Sequence, residues 1–310
     1  MAAAVAVPQH KLSETPNSRA IEIHDWLITA STNSISNAVE CDALQSHLGF
    51  SLPEMTFGNN YLTLEHRKSA WKMAFDARGA LMGVRRGELQ DGDGGVKVGY
   101  ADAWLKSRTD PGTNLPLPTT VAAKPYDWTY TTVYSGHHPS TGTELSSSAS
   151  WEDADPENST HDIPLAELTR PDPILFYAEI PLYEDELHDN GSSNLLVRIR
   201  VMPTCFFILA RFILRVDNVL FRIHDTRIYH SFSSNPPLVV RQVSGWEAPY
   251  DRMKRQLPRR NDLTPLTDAN WIAKVLSEMP VEATQKAGAG TRWRGLRTKL
   301  EVVVLNKSDP

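Results

Sequence analysis

Between residues 174 and 230 apolar and polar side chains alternate with a period of two, the spacing of strands that bury one face. Three runs, 195–202, 205–216 and 219–227, are joined at Pro203-Thr204 and Asp217-Asn218. Two-residue loops favour antiparallel hairpins, and asparagine tolerates the left-handed backbone that such turns need. With both loops of that length, parity decides which side chains share a face. One face then carries Val197, Ile199, Val201, Phe206, Ile208, Phe212, Leu214, Val216, Val219, Phe221 and Ile223. The other carries Arg198, Arg200, Arg211, Arg215, Arg222 and His224, interleaved with Phe207, Leu209, Ile213 and Leu220. A meander apolar on one side and studded with arginine on the other suggests a recognition surface over a catalytic one. The structural alternative is that these arginines pair with Glu179, Glu184, Asp185 and Glu186 of the preceding segment.

The rest of the chain reads more coarsely. Ile21, Ile23 and Trp26–Ile28 predict a first strand. Asn37 is placed to cap a helix reaching Leu48, with Val39, Leu44 and Leu48 on one side. Tyr61–Leu64, Ala70–Phe75, Asp127–Tyr134 and Leu238–Val243 predict strands, and Tyr100–Lys106, Glu247–Gln256 and Ala269–Leu276 helices. Residues 1–18 read as a disordered N-terminus and 281–310 as a C-terminal extension. Three stretches, 86–95 (charged, Gly-rich), 109–123 (Pro/Thr-rich) and 135–160 (polar, low-complexity), read as loop insertions, which cost little entropy. With no internal repeat and no linker between two cores, the expected fold is α+β: antiparallel β-sheets, sandwich-like, flanked by a few helices in a single domain over 19–280.

Charge and composition narrow the function classes. Of 310 residues, 32 are basic and 37 acidic, a net charge of −5 that disfavours a general nucleic-acid binder. Cys41 and Cys205 cannot make a disulfide framework. The opening MAAAVAVPQHKL lacks a basic n-region and a long enough apolar run for a signal peptide. The longest uncharged apolar stretch, Val201 to Ala210, is broken by Pro203 and too short for a membrane span. The expectation is a cytoplasmic protein, with the nucleus as a second compartment, acting as a monomer without nucleic acid or membrane.

Motifs for chemistry are sparse. There is no phosphate-binding Gly-rich loop ending in Gly-Lys-Ser/Thr, no Gly-x-Ser-x-Gly, no His-Glu-x-x-His and no Cys-x-x-Cys. The best enzymatic candidate is a metal-dependent hydrolase built on Glu184, Glu186 and His188, in which a bound cation would activate water. On a strand these three point one way and Asp185 and Asp189 the other, before the Asn190-Gly191 turn. Trp128, beside Tyr130, reads either as an interface anchor or as core. Arg292-Trp293-Arg294 with Arg297 and Lys299 reads as nucleic-acid or membrane contact, or as an extra edge strand or tail. No cofactor is expected.

Taken together, several motifs resemble one family. They are Leu52-Pro53-Glu54-Met55 with Phe57-Gly58-x-Asn60, and Lys124-Pro125-Tyr126-Asp127-Trp128-Thr129-Tyr130-Thr131-Thr132. Glu184-Asp185-Glu186-Leu187-His188-Asp189-x-Gly191, Arg198-Ile199-Arg200-Val201-Met202-Pro203 and Asp225-Thr226-Arg227-x-Tyr229-His230 follow in order. Over about residues 20–275 the chain resembles the TOR signalling pathway regulators, the Tap-interacting TIPRL-type proteins. The resemblance implies a non-enzymatic regulator that binds catalytic subunits of type 2A-like serine/threonine protein phosphatases, including their C-terminal tail. It also implies links to the Tap/alpha-four-type phosphatase chaperone and to TOR signalling, and antiparallel sheets with a cleft for the tail. Its phosphatase-binding positions carry over onto Ile163, in His161-Asp162-Ile163, Ile223 (for a methionine) and Asp225; Arg227 and Trp128, in the motifs above, are further candidates for partner contact. A further acidic position falls on Gly79, which has no side chain to offer. A tail ending in a carboxylate next to apolar groups suits an arginine-lined apolar face, so one of Arg198, Arg200, Arg211, Arg215 or Arg222 is expected to clamp it bidentately. On the predicted register Ile223 and Asp225 have the opposite parity to Arg222, so these contacts cannot share one face.

Overall fold

Apolar positions spaced two apart gather into two antiparallel sheets packed face to face. The computed structural model describes residues 6–84, 128–139, 151–154, 162–187, 189–279 and 298–305. The five-stranded sheet runs β1 (His10–Glu14), β2 (Ser18–Ile23), β3 (Trp26–Ser31), β5 (Tyr61–His66), β6 (Trp71–Asp76). The eight-stranded sheet runs β4 (Met55–Thr56), β8 (Phe176–Asp185), β9 (Gly191–Val201), β10 (Cys205–Val216), β11 (Leu220–Ser231), β12 (Leu238–Pro249), β13 (Lys299–Val304), β7 (Glu152–Ala154). Helices are few: α1 (Ala38–Leu48), α2 (Ala77–Met82), α3 (Leu165–Leu168), α4 (Tyr250–Lys254) and α5 (Ala269–Glu278), with a 3₁₀ turn at Thr264–Thr267. This is the expected α+β class of antiparallel sheets with a few helices.

The core lies between the sheets. Ile21, Ile23, Trp26, Leu62, Leu64 and Phe75 from the small sheet meet Val197, Ile199, Phe206, Ile208, Phe212 and Leu214 from the large one, each at most 1 % exposed. Burial of each such side chain contributes about 1.5–3 kcal/mol. The other face of the large sheet carries two smaller clusters. At one end Ile213, Phe221 and Ile223 lie under Met253 of α4, Leu266 of the 3₁₀ turn and Ile272 and Leu276 of α5. At the other, Ile163 and Leu168 cover Cys205, Tyr229, Val240, Leu300 and Val302.

The register of the meander departs from expectation at one turn. Pro203-Thr204 is the two-residue loop predicted, with Met202 N donating to Cys205 O at 2.8 Å. The second turn holds three residues, Asp217, Asn218 and Val219, because Val216 pairs with Leu220; Asn218 takes the left-handed conformation at φ 61°. One extra residue moves every side chain of β11 to the other face. Phe221 and Ile223 therefore leave the inter-sheet core and join Arg211, Arg215, Asp225 and Arg227, while Arg222 and His224 turn inward beside Ile228 and His230.

Other elements are also corrected. The predicted disordered N-terminus contributes β1, the polar stretch 135–160 contributes β7, and the C-terminal extension contributes β13, inserted between β12 and β7. Trp26–Ile28 starts a strand of its own, β3, paired with β2. Residues 128–134 form no strand: they thread between the sheets, where Ser193 Oγ donates to Thr129 O at 2.6 Å and Tyr183 Oη to Tyr130 O at 2.7 Å. Side chains thus replace a ladder for that backbone. Strand β12 continues to Pro249, where a helix from 247 was expected. Helix α1 has the predicted Asn37 cap with a capping box, although Val39 faces solvent at 77 % exposure. Gly136 is obligatory. At φ 85° it lies so close to β6 that a Cβ would meet Met73 Cε at 2.4 Å. The predicted helix 100–106 and the loops 86–95 and 109–123 lie outside the described residues.

Candidate functional site

Between the two covered ends of the large sheet a strip of its outer face stays open, and the register defines it. Glu179 pairs with Arg198, Arg198 with Leu209, Leu209 with Arg227, and Arg227 with Gln242. These five residues form a row across β8 to β12, all exposed or half-buried. Beside it runs Tyr177–Arg200–Phe207–Tyr229, bordered by α3 through a 2.8 Å bond from Tyr229 Oη to Glu167 Oε2. On the other side Arg211 and Asp225 lead to the first turn of α5.

Asp225 is the hub. It is fully buried and accepts from Arg211 Nε (2.7 Å), Arg211 Nη2 (2.8 Å) and Arg227 Nη2 (2.9 Å). Arg211 Nη1 bonds Asn270 Oδ1 (3.0 Å) and Ala269 O (3.3 Å), so its whole fork is engaged. Arg227 spans to Gln242 Oε1 at 3.1 Å and keeps 29 % of its side chain exposed. Arg198 bonds Glu179, and that hydrogen bond holds the Glu179 carboxyl below the usual carboxylate range. Arg200 is exposed and makes no ion pair among the described residues.

The predicted clamp residues therefore separate. Arg198 and Arg200 stand on the strip, joined by Arg227. Arg215 lies 2.9 Å from Asp217 Oδ1, near the α4 end, and Arg211 is sealed against Asp225. Arg222 is on the opposite face at 0 % exposure, giving Nε and Nη2 to Glu247 Oε2 and Nη1 to Thr131 Oγ1, and cannot meet a partner there. The register also settles the parity conflict: Ile223, Asp225, Arg211 and Arg227 share one face. Ile163, Ile223 and Asp225 are nevertheless 8 %, 0 % and 0 % exposed, so they shape the strip from beneath and from its ends. Trp128 is core at 9 % exposure, and so is Tyr130. Gly79 is buried, and a Cβ there would stand 2.8 Å from both His137 Nδ1 and Tyr134 Oη. The nearby carboxylate is Asp76, which caps α2 through Gly79 N at 2.6 Å. Tyr177 and Gln242 were not singled out from sequence; the alternation of β8 and the β12 register place them.

The hydrolase cluster does not assemble among the described residues. Asp185 turns inward and accepts from Glu54 N (3.0 Å) and Leu187 N (2.7 Å), Glu184 and Glu186 face solvent, and His188 lies outside the described residues. No group of three His, Cys, Asp or Glu among the described residues is placed to hold a metal ion. What the strip offers is recognition: fixed guanidiniums beside Leu209, Phe207 and Tyr177, with acceptors at Glu179 and Gln242.

Comparison with known proteins points the same way. Residues 55–254 match the model of the TIP41-like family. The type 2A phosphatase activator TIP41 of Saccharomyces cerevisiae is 38 % identical over 269 residues, covering 82 % of this chain and 71 % of the yeast protein. A TIP41-like protein of Dictyostelium discoideum is 35 % identical, covering 88 % of this chain and 92 % of its own length. The human TIP41-like protein is 39 % identical over 206 residues, 66 % of this chain and 68 % of its own.

Proposed function

The chain belongs to the TIP41-like family, and on that premise we propose that it is a regulator of type 2A-like serine/threonine protein phosphatases with no chemistry of its own. It binds the phosphatase catalytic subunit, and the open strip of the large sheet takes the subunit's C-terminal tail. Arg200, with Arg198 and Arg227 beside it, pairs with the tail carboxylate, and Leu209, Phe207 and Tyr177 receive its apolar side chains. Ile163, Ile223 and Asp225 hold that surface in shape. In this reading the protein acts as a monomer in the cytoplasm and nucleus, alongside a Tap/alpha-four-type chaperone, and modulates TOR signalling.

The observation that carries the reading is Arg200: an exposed guanidinium without an ion pair among the described residues, at the edge of a row of half-buried polar groups flanked by apolar ones. Calorimetric titration with a synthetic type 2A-like catalytic-subunit tail peptide tests it. Arg200→Gln and Arg227→Gln are each expected to weaken binding by about 1.5–3 kcal/mol, the range for charged hydrogen bonds. Unchanged affinity in both variants rejects the clamp. Failure of the wild-type chain to retain a purified catalytic subunit in a pull-down rejects the regulator reading itself.

A further inference from the structure

On the opposite face of β12 from Gln242 of the strip, a cavity of about 70 Å³ opens beside β6 and β7. It is lined by Trp71 and Met73 of β6, Gly136 and His138 of the segment bridged to Ala74, Trp151 just before β7, and Arg241 of β12. That space holds a few waters or one group of roughly four non-hydrogen atoms, at about 30 Å³ per liquid water.

The polar groups around it are donors and cations. The Trp71 indole N–H, on a residue only 9 % exposed, is buried without an acceptor among the described residues. His138 Nδ1, a donor or an acceptor according to the tautomer, is likewise buried without a partner among the described residues. Buried donors are nearly always satisfied, so the Trp71 orphan at this cavity points to a missing acceptor. Arg241 is held rigidly: its Cζ lies 4.0 Å over the Trp151 ring, and Nε donates to Glu301 Oε2 at 2.7 Å. Its two terminal nitrogens make no hydrogen bond among the described residues, and no carboxylate lines the cavity. Lys72 and His137 complete the lining.

We propose that this cavity is a second binding site, independent of the phosphatase reading, and that it takes a carboxylate. Trp71 and Trp151 meet edge to face at 6.3 Å, and the planar group sits beside them, accepting from the terminal nitrogens of Arg241 in a fork, with the Trp71 N–H as the third donor after a small side-chain adjustment. A tetrahedral phosphate fits less well, because most of the wall is hydrocarbon and aromatic carbon. The carboxylate can arrive as a free small acid or as the side chain of an acidic peptide residue.

The test uses the full chain labelled with ¹⁵N at tryptophan, with the Trp71 indole peak assigned by Trp71→Phe. Sodium acetate is titrated against sodium chloride at equal ionic strength, and a second arm uses N-acetylglutamate N-methylamide. A saturable shift of the Trp71 indole peak is expected, with a dissociation constant on the order of 1 mM for a four-atom acid. Arg241→Gln and Arg241→Lys, the latter keeping the charge against Glu301 but losing the fork, are each expected to weaken it about tenfold or more. The tighter of the two ligands identifies the source of the carboxylate. A shift that stays linear and equals that of chloride, or binding unchanged in Arg241→Lys, overturns the proposal.

Discussion

Asp225 carries no exposed atom, yet it decides how two arginines stand on the surface above it. Its carboxylate accepts from both, and Arg211, only 9 % exposed at its side chain, pairs with no other charge among the described residues. Removing one partner of such a buried pair leaves an uncompensated charge, at a cost of about 3–5 kcal/mol. Asp225→Ala is therefore expected to lower stability by that amount in urea unfolding, while Arg200→Ala stays within about 0.5 kcal/mol of wild type. Equal effects of the two would show that Arg211 finds another anion and that Asp225 is no hub. The same contrast separates support from contact. A loss of phosphatase binding in an Asp225 variant must be judged against folding, whereas a loss in an Arg200 variant reads directly on recognition.

At the scale of elements, β13 does more than close an edge. It pairs with β12 on one side and β7 on the other, buries Leu300 and Val303, and supplies Glu301 to Arg241. Truncation before Lys299 is expected to cost at least about 3 kcal/mol, from two aliphatic side chains at roughly 1.5 kcal/mol each. Hydrogen exchange should then show faster exchange for the amides of Leu238–Val243, and an unchanged pattern there would refute the pairing. Strands with regular alternation were legible in the sequence, as were the Asn37 cap of α1 and the Pro203-Thr204 turn. The register of β11 was not, because Asp217-Asn218 suits a two-residue or a three-residue loop equally well, and the choice is made by Phe221 and Ile223 packing under α4 and α5. That single slip put Arg222 on the wrong face. Asp127–Tyr134 failed for a related reason: aromatic and β-branched residues mark burial, and here burial occurs without a ladder. The short strands β7 and β13 are specified by partners distant in sequence, whereas β1 pairs locally with β2 and is polar along most of its length. Among the site residues, the arginines were visible as types and positions, but which of them is already spoken for depends on Asp225, Glu179 and Glu247 across neighbouring strands.

Taken whole, the molecule is tied together by an aromatic and imidazole cluster between its sheets. His230 lies 4.9 Å from Trp26 and 5.3 Å from Phe206, ring centre to ring centre, and burial lowers its pKa to about 4 despite the bond from its Nδ1 to Leu238 O. His66, whose ring lies tilted 5.0 Å from Trp26, is also lowered by burial. In the unfolded chain each ring takes a proton near pH 6.5, whereas the folded protein holds His230 neutral down to about 4. Stability is thus full above pH 6.5 and falls as the pH drops toward 4, by about 3 kcal/mol for His230 alone at 1.36 kcal/mol per unit. Urea midpoints measured across that window should show the decline, and His230→Phe should flatten it; an equally steep profile in the variant would assign the effect elsewhere. One further property follows from the strand order β12-β13-β7. Because Glu152–Ala154 pairs with β13 on its one bonded side, those residues have no complete ladder until Val302 has left the ribosome. That edge of the large sheet therefore cannot be completed before β13 is made, and a nascent chain arrested before that point would display β12 as an open edge, available to whatever attends its birth.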